Sequence, residues 1–411
     1  MMTTNSNIPP GYKDSAVGII PQEWDVKRLV DLCHNTGDYG INAPAVSYRE
    51  DLPTYLRITD IDGWGKFIET DKVSVDNPNS SQFILRDGDI VFARTGATVG
   101  KTYLYDSKDG QLVFAGFLIR FTSNSNKAVP YYIKACTETA SYWNWVRVIS
   151  QRSGQPGINS VEYGAMKLAV PPMEEQRKIA EILGVWDEAI ERQSRLIEKL
   201  EMRKRALMQR LLTGRTRLPG FTTPWQKVKL GEIFKERNET KCEHLPLLSI
   251  TAERGVILQS ESDKKDTSND DKSKYKRICP NDIGYNTMRM WQGRSALSAM
   301  EGIVSPAYTI VTPKVGIDPL FISELIKQPR VVYDFWTHSQ GLVGDTLNCK
   351  FHDFSQVKVA IPSLPEQKAI AEVLTAADNE INIHRKKLDA LRLQKRGLMQ
   401  QLLTGKTRVK I

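Results

Sequence analysis

The sequence predicts an α+β protein with an internal repeat, in which two globular blocks are separated by an antiparallel coiled coil of two long helices. One segment is written twice, because Gln176 and Arg217 recur as Gln367 and Arg408 at the same offset of 191 residues. Both copies carry a helical period, and the blocks before them share strand and turn positions. We expect the following order along the chain: block 1 at 1–170, helix 1 at 171–214, block 2 at 215–361 and helix 2 at 362–411.

The two blocks repeat their strand and turn positions more than their sequences. Each opens with a tryptophan after a proline, Trp24 in block 1 and Trp225 in block 2, and residues 86–92 recur as 279–285. Apolar, partly β-branched runs separated by Gly, Pro and Asn predict strands, and an α+β fold for each block. We expect the polar stretch 261–277 to be a solvated loop, with a DNA contact as the alternative.

Both long helices carry apolar side chains at alternating intervals of four and three residues. Such a stripe is typical of a coiled-coil seam. At ~1.5 Å per residue, each helix would be roughly 58 Å long. The seam consists of Ile179, Leu183, Trp186, Ile190, Ile197, Leu200 and Leu207 in helix 1 and of Ile370, Leu374, Ile381, Leu388, Leu391, Leu398 and Leu402 in helix 2.

The order of blocks and helices favours antiparallel pairing, since each helix leaves one block and points towards the other. A register that places Ile179 opposite Leu402 also places Lys204 opposite Ala377, whose small side chain would let the lysine stem run out to solvent. The alternative is two unrelated amphipathic helices, each packed on its own block. Because the helices repeat more closely than the blocks, we expect the helices to share one kind of partner and the blocks to recognise different things.

Composition favours a polyanionic partner in a reducing compartment. The 411 residues carry a formal charge of +9, and the pI is near 9.1. The five cysteines form no CxxC pair, which indicates reduced thiols and a cytoplasmic protein. The start of the sequence lacks the apolar core of a signal peptide, and no apolar run approaches the ~18 residues of a membrane span.

The sequence contains little evidence of catalytic or cofactor-binding motifs. The spacing of Gly96 and Gly100 differs from that of a phosphate loop, since three residues separate them where four are needed. The Cys33–His34 pair and the 242–244 segment cannot supply four zinc ligands. We therefore expect no catalytic residues, no metal site and no cofactor.

Polar loops in both blocks are the candidate DNA-binding sites, because Arg, Lys, Asn and Gln match phosphates or base edges. The alternative is that their glycines only form turns and their polar groups only cap them. In block 1 the candidates are Arg57, Arg94, Thr95, Thr98 and Lys101, followed by Arg152, Ser153, Gln155 and Asn159 in the loop 151–160. In block 2 they are Arg254, Arg289, Gln292 and Arg294, followed by His338 and Gln340 in the loop 337–345.

The doubled helical segment resembles the specificity subunit of type I restriction–modification enzymes. The resemblance lies in Pro-Pro-Met-Glu-Glu-Gln or Leu-Pro-Glu-Gln before a long Ile-Ala-Glu-Ile/Val-Leu helix that ends in Leu-Met-Gln-x-Leu-Leu-Thr-Gly. It covers nearly the whole chain. The first copy departs slightly, with Met173-Glu174 where the second has Leu364-Pro365.

The resemblance implies a non-catalytic DNA-binding subunit. Blocks 1 and 2 would be target-recognition domains, each reading one half of a bipartite, asymmetric DNA sequence. The helices would separate these domains and dock two methyltransferase (modification) subunits, through which the restriction (motor–nuclease) subunits join. A stand-alone DNA-binding regulator without enzymatic partners is the rival interpretation.

Overall fold

The computed structural model describes residues 8–251, 254–262, 266, 268–341 and 347–411. The chain forms two compact units. Unit 1 combines Met1–Gln193 with Lys387–Ile411, and unit 2 comprises Ser194–Lys386. Each unit therefore holds one globular block together with a part of both long helices. The boundaries at 170, 214 and 361 follow the order of elements along the chain and stay predictions.

Two long helices and several short ones make up the helical part. Pro130 and Pro319 occupy the first turns of their helices, where the backbone N–H that proline lacks would have no partner within the helix. The helices are α1 Pro130–Cys136, α2 Ala140–Ile149, α3 Ser160–Gly164, α4 Met173–Leu211, α5 Leu230–Ile233, α6 Pro319–Leu325, α7 Pro329–His338, α8 Phe351–Gln356 and α9 Leu364–Leu403. Among the described residues, none of these helices is both long and apolar enough to cross a bilayer.

Unit 1 contains a central antiparallel sheet and a second, mixed sheet. Its strands are β1 Tyr12–Lys13, β2 Ile20–Pro21, β3 Asp25–Arg28, β4 Asp38–Tyr39, β5 Val46–Ser47, β6 Thr54–Leu56, β7 Val73–Ser74, β8 Asp89–Ala93, β9 Thr102–Leu104, β10 Leu112–Phe114, β11 Leu118–Thr122 and β12 Lys167–Val170. The central sheet has the order β4-β11-β8-β9, and the mixed sheet has the order β10-β6-β7-β5. Two further pairs are β1-β2 and β3-β12.

Unit 2 repeats the central antiparallel sheet. Its described strands are β13 Gln226–Lys229, β14 Phe234–Arg237, β15 Leu248–Thr251, β16 Gly255–Leu258, β17 Lys276–Ile278, β18 Ile283–Asn286, β19 Ser295–Leu297, β20 Gly302–Val304, β21 Tyr308–Pro313 and β22 Lys358–Ile361. The central sheet has the order β14-β21-β18-β19, and the other described strands form the pairs β13-β22, β15-β16 and β17-β20. The repeated central sheet confirms the α+β class and the internal repeat.

A buried aspartate holds the same turn beside the central sheet in both units. In unit 1, Asp89 at the start of β8 accepts hydrogen bonds from Thr122 Oγ1 at 2.5 Å and from the backbone N–H of Arg86 at 2.9 Å. Burial raises the pKa of Asp89. In unit 2, Asp282 accepts the corresponding bonds from Thr312 Oγ1 at 2.6 Å and the N–H of Cys279 at 2.8 Å. The repeat has thus kept the groups that hold the turn before the central strand.

The long helices pair antiparallel within each unit, as predicted. In unit 1, Ile179 and Leu183 share one core with Leu402, and Lys395 Nζ lies 2.7 Å from Asp187 Oδ1. Moving forward along α4 therefore means moving backward along α9. The seam positions in unit 1 are buried or half-buried.

Unit 2 shows the same direction through its ion pairs. Lys204 Nζ lies 2.7 Å from Asp378 Oδ1, and Arg385 Nη2 lies 2.6 Å from Glu201 Oε1. The neighbour of Asp378 is Ala377, so the contact supports the expected register. The lysine stem does not run out to solvent as expected, because its ammonium group is held by the carboxylate beside that alanine.

A disulfide can test this register in unit 1. With Leu183→Cys and Leu398→Cys, we expect a cross-link after mild oxidation, because Leu183 is buried in the core against which Leu398 packs. The migration of the protein on a non-reducing gel measures it. A Leu183→Cys/Leu391→Cys protein, offset by two helical turns, is the matched control. Equal cross-linking of the two pairs, or none in the first, would reject the register.

A fully buried carboxylate at the start of each long helix anchors the segment that follows the other long helix. In unit 1, Glu175 accepts hydrogen bonds from Trp24 Nε1 at 2.9 Å and from Arg408 Nε at 2.7 Å. In unit 2, Glu366 accepts one from Arg217 Nε at 2.5 Å, and the Arg217 guanidinium lies 5.9 Å from the Trp225 ring centroid. Hydrogen bonding to Glu175 raises the pKa of Arg408, so this arginine stays protonated.

Candidate nucleic-acid interface

In unit 1 the turn after β8 carries the first group of candidates. Strand β8 leads into a short 3-10 turn at Gly96–Thr98, and β9 follows directly. Gly96 and Gly100 have positive φ angles of +75° and +89°, which glycine adopts without strain. Because a strand and not a helix follows the turn, this segment lacks the helix N-terminus on which a phosphate loop depends.

The two candidate loops of block 1 meet in the structure. The N–H of Gly96 donates to the carbonyl of Pro156 at 3.0 Å, and the N–H of Ile158 donates to that of Arg94 at 2.9 Å. Thr95 and Gly157 form a β-bridge. Residues 94–101 and 151–159 therefore form one continuous surface, which we call loop surface 1.

The charged side chains on loop surface 1 have partners within unit 1. The Arg94 guanidinium lies 4.8 Å from the Tyr39 ring centroid. Arg152 Nη2 donates to both oxygens of Glu162, at 2.6 and 2.7 Å, and Lys101 Nζ donates to the carbonyl of Ile61 at 3.0 Å. These contacts fix the stems and leave N–H groups of the arginines for another acceptor.

The remaining candidates of loop surface 1 differ in role. Asn159 Oδ1 accepts from the N–H of Glu162 at 2.9 Å and so caps α3, as the turn-and-cap alternative predicted. Ser153 and Gln155 are exposed. Thr98 Oγ1 is buried and has no hydrogen-bond partner among the described residues.

In unit 2 the matching turn and loop also meet. The N–H of Cys349 donates to the carbonyl of Thr287 at 2.9 Å, and Gln340 and Asn348 exchange backbone hydrogen bonds at 2.8 and 2.9 Å. We call residues 286–294, 337–341 and 347–349 loop surface 2. Residues 342–345 of the predicted loop lie outside the described residues, as do 263–265 and 267 of the predicted solvated loop.

The candidates of loop surface 2 are mostly exposed. Arg289, Gln292 and Arg294 are exposed on the turn after β18. His338 Nδ1 lies 2.8 Å from the carbonyl oxygen of Asp334 at the end of α7, and Gln340 Nε2 donates to Asp353 Oδ1 at 3.1 Å. The exposed polar candidates of loop surface 2 are therefore three on the turn after β18 and two, His338 and Gln340, in the segment 337–341.

Two candidates outside the loop surfaces are engaged in local contacts. Arg57 donates to Asp60 at 2.7 and 2.9 Å, and this hydrogen bonding raises the pKa of Arg57. Arg254 Nη1 donates to the carbonyl of Glu261 at 2.8 Å. Both arginines are therefore held by residues close to them in the chain, and their roles in DNA binding stay predictions.

Tyr39 belongs to loop surface 1 although no sequence motif singles it out. Its hydroxyl accepts from the N–H of Ser160 at 3.2 Å, and its ring lies under Arg94. Tyr39 comes from β4, far from both loops in the chain, so no local pattern could have indicated it. Among the described residues, no group of three or more His, Cys, Asp and Glu side chains could hold a metal ion.

Comparisons with known proteins find similarity over nearly the whole chain. The type I restriction enzyme MjaVIII specificity subunit of Methanocaldococcus jannaschii is 24% identical, with 95% of this chain and 94% of that protein covered. The putative type I restriction enzyme MjaX specificity subunit of the same organism is 26% identical, with 97% of both chains covered. The crystal structure of the type I restriction–modification S subunit from M. genitalium has a TM-score of 0.55, 13% identity and 98% coverage of each chain, which shows a similar fold.

A family model identifies the family of this chain. The model described as type I restriction modification DNA specificity domain matches residues 21–202 and 322–393, more than half of the sequence. The two matched regions include most of both long helices, which carry the motifs behind the predicted resemblance. This match confirms that resemblance, and the chain belongs to the family of type I restriction modification DNA specificity domains.

Proposed function

We propose that the chain is the non-catalytic specificity subunit of a type I restriction–modification complex and that it recognises a bipartite, asymmetric DNA target. Loop surface 1 would read one half-site and loop surface 2 the other. The observation that carries this proposal is the presence, in a chain of this family, of two loop surfaces at equivalent positions of the repeat. Their side chains differ, so we expect the half-sites to differ in sequence.

We also infer that the long helices dock two copies of the methyltransferase subunit, through which the restriction subunits join. Met202 in α4 and Leu393 in α9 are separated by the repeat offset of 191 residues, and both are exposed. An apolar side chain exposed at the same repeat position of both long helices favours two equivalent protein contacts. The five free cysteines suit a complex that works in the reducing cytoplasm.

The mass of the assembled complex tests this stoichiometry. Mixed with its methyltransferase subunit, the chain should form a species with two methyltransferase copies. We expect Met202→Glu and Leu393→Glu each to weaken the binding of one copy, because a charge at an apolar contact must be desolvated, and the double variant to weaken both. Native mass spectrometry measures the species present.

Val315→Glu is the matched control, since Val315 is fully exposed and lies outside the long helices. It should leave the mass unchanged. A wild-type chain that stays alone in the presence of the methyltransferase would contradict the proposal and favour the stand-alone regulator.

A further inference from the structure

Beside each loop surface a short helix exposes aromatic side chains. In unit 1, Trp143 of α2 is 41% exposed. In unit 2, Tyr333 and Trp336 of α7 are 59% and 48% exposed, and their ring centroids lie 5.6 Å apart. Single exposed apolar residues are common, but large aromatic rings at the same place in both halves of a diverged repeat call for an explanation.

A glycine seats each helix against the turn that carries the candidate DNA contacts. A Cβ on Gly100 would lie 2.7 Å from Val146 Cγ1 and 3.0 Å from Trp143 Cζ3. In unit 2, a Cβ on Gly293 would lie 3.0 Å from Val332 Cγ2, one residue before Tyr333. The exposed rings therefore continue the loop surfaces.

Basic groups flank the rings on both helices. Arg147 is exposed one turn after Trp143, and Arg330 is exposed one turn before Tyr333. The adjoining turns add Arg94 and Lys101 in unit 1, and the turn residues of loop surface 2 add further arginines. A wholly apolar partner would desolvate these cations without pairing them, whereas DNA offers phosphates to the cations and base edges to the rings.

We infer that Trp143 in unit 1, and Tyr333 with Trp336 in unit 2, make apolar contacts to the bases of the two half-sites. The rings can pack on a thymine methyl group in the major groove or against an unstacked base step. This inference rests on the proposed function and adds a class of contact that the polar candidates do not provide.

The test uses the full chain assembled with its methyltransferase subunits and a labelled duplex that carries the complex's own methylation motif. We expect Trp143→Ala, and Tyr333→Ala with Trp336→Ala, each to weaken binding about tenfold, or ~1.4 kcal/mol. The salt dependence of binding should stay as in the wild type, because the rings neutralise no phosphate. Fluorescence anisotropy at several salt concentrations measures both quantities.

Half-site duplexes locate the effect. Each change should lose its effect when the half-site read by its own unit is scrambled and keep it when the other half-site is scrambled. Tyr48→Ala, which removes an exposed aromatic ring outside both loop surfaces, should bind as the wild type does. Trp143→Phe and Trp336→Phe keep an aromatic ring. These variants should therefore keep most of the wild-type affinity that the alanine variants lose.

Unchanged affinity in both aromatic variants would overturn the inference. Normal DNA binding by complexes that assemble less completely would overturn it as well, since the rings would then contact a protein subunit. Thermal melting checks folding, and the unit 2 variant decides the outcome if Trp143→Ala does not fold. If the wild-type complex shows no preference for its motif, the proposed function itself is contradicted. If the wild type prefers its motif and the aromatic variants bind equally well, only this inference is contradicted.

Discussion

Replacing Glu175 by alanine should lower the free energy of unfolding by about 3 kcal/mol, the lower end of the range for breaking a buried ion pair. The carboxylate is fully buried and accepts hydrogen bonds from Trp24 and Arg408. Its loss leaves the buried indole N–H of Trp24 without an acceptor. Arg408 is about one-third exposed and can turn to water, which keeps the cost from rising further.

Chemical denaturation of the wild type and the variant measures the change. Glu174→Ala is the matched control, because Glu174 precedes Glu175 in the same helical turn but is exposed. It removes the same charge from the helix start and should cost less than about 1 kcal/mol. Glu366→Ala should also lower the free energy of unfolding, because Arg217 loses its carboxylate partner in unit 2. Equal losses for Glu174→Ala and Glu175→Ala would show that the buried network contributes nothing beyond helix-end charge.

Arg94→Ala should relax the preference for bases in one half-site and leave the other half-site unchanged, and Arg289→Ala should do the reverse. Each arginine that contacts a base edge discriminates by about 1–3 kcal/mol against the wrong base. The Arg94 guanidinium already lies over the Tyr39 ring, so this side chain need not be ordered on binding. Binding to duplexes with single substitutions along the target measures the preference.

Lysine variants separate base readout from charge. Arg94→Lys and Arg289→Lys keep a phosphate-binding cation but lose the planar fork of the guanidinium. We expect them to bind with a salt dependence like that of the wild type and to relax the same half-site as the alanine variants. Loss of preference in both half-sites from a single change would show that the two loop surfaces do not act independently.

The long helices were predictable because a periodic apolar stripe is a local signal, and the same pattern occurs twice in the chain. The central sheet was predictable as strands and turns, since Asp89 and Asp282 mark the same turn in both blocks. The unit boundaries, which fall within α4 and α9, were not predictable, because they depend on packing between residues far apart in sequence. The ion pair of Lys204 with Asp378 depends on the same packing and was missed for the same reason.

The sequence predicted which residue types and loops belong to the candidate site, but it did not predict how these residues are arranged in space. The sequence indicated both loops of each block, but nothing local shows that Arg94 hydrogen-bonds through its carbonyl to Ile158. Arg57 shows the opposite case, since its partner Asp60 is only three residues away and the pair can be recognised as a cap once the turn is known. Tyr39 and the exposed rings of α2 and α7 carry no motif, so only the fold brings them to the loop surfaces.

The methylation pattern that the assembled complex leaves on DNA tests most directly the assignment of a bipartite, asymmetric target to this chain. Sequencing of methylated adenines in DNA modified by the wild-type complex should reveal two different short sequences separated by a non-specific spacer of constant length. A single uninterrupted motif, or two identical halves in a palindrome, would contradict the assignment.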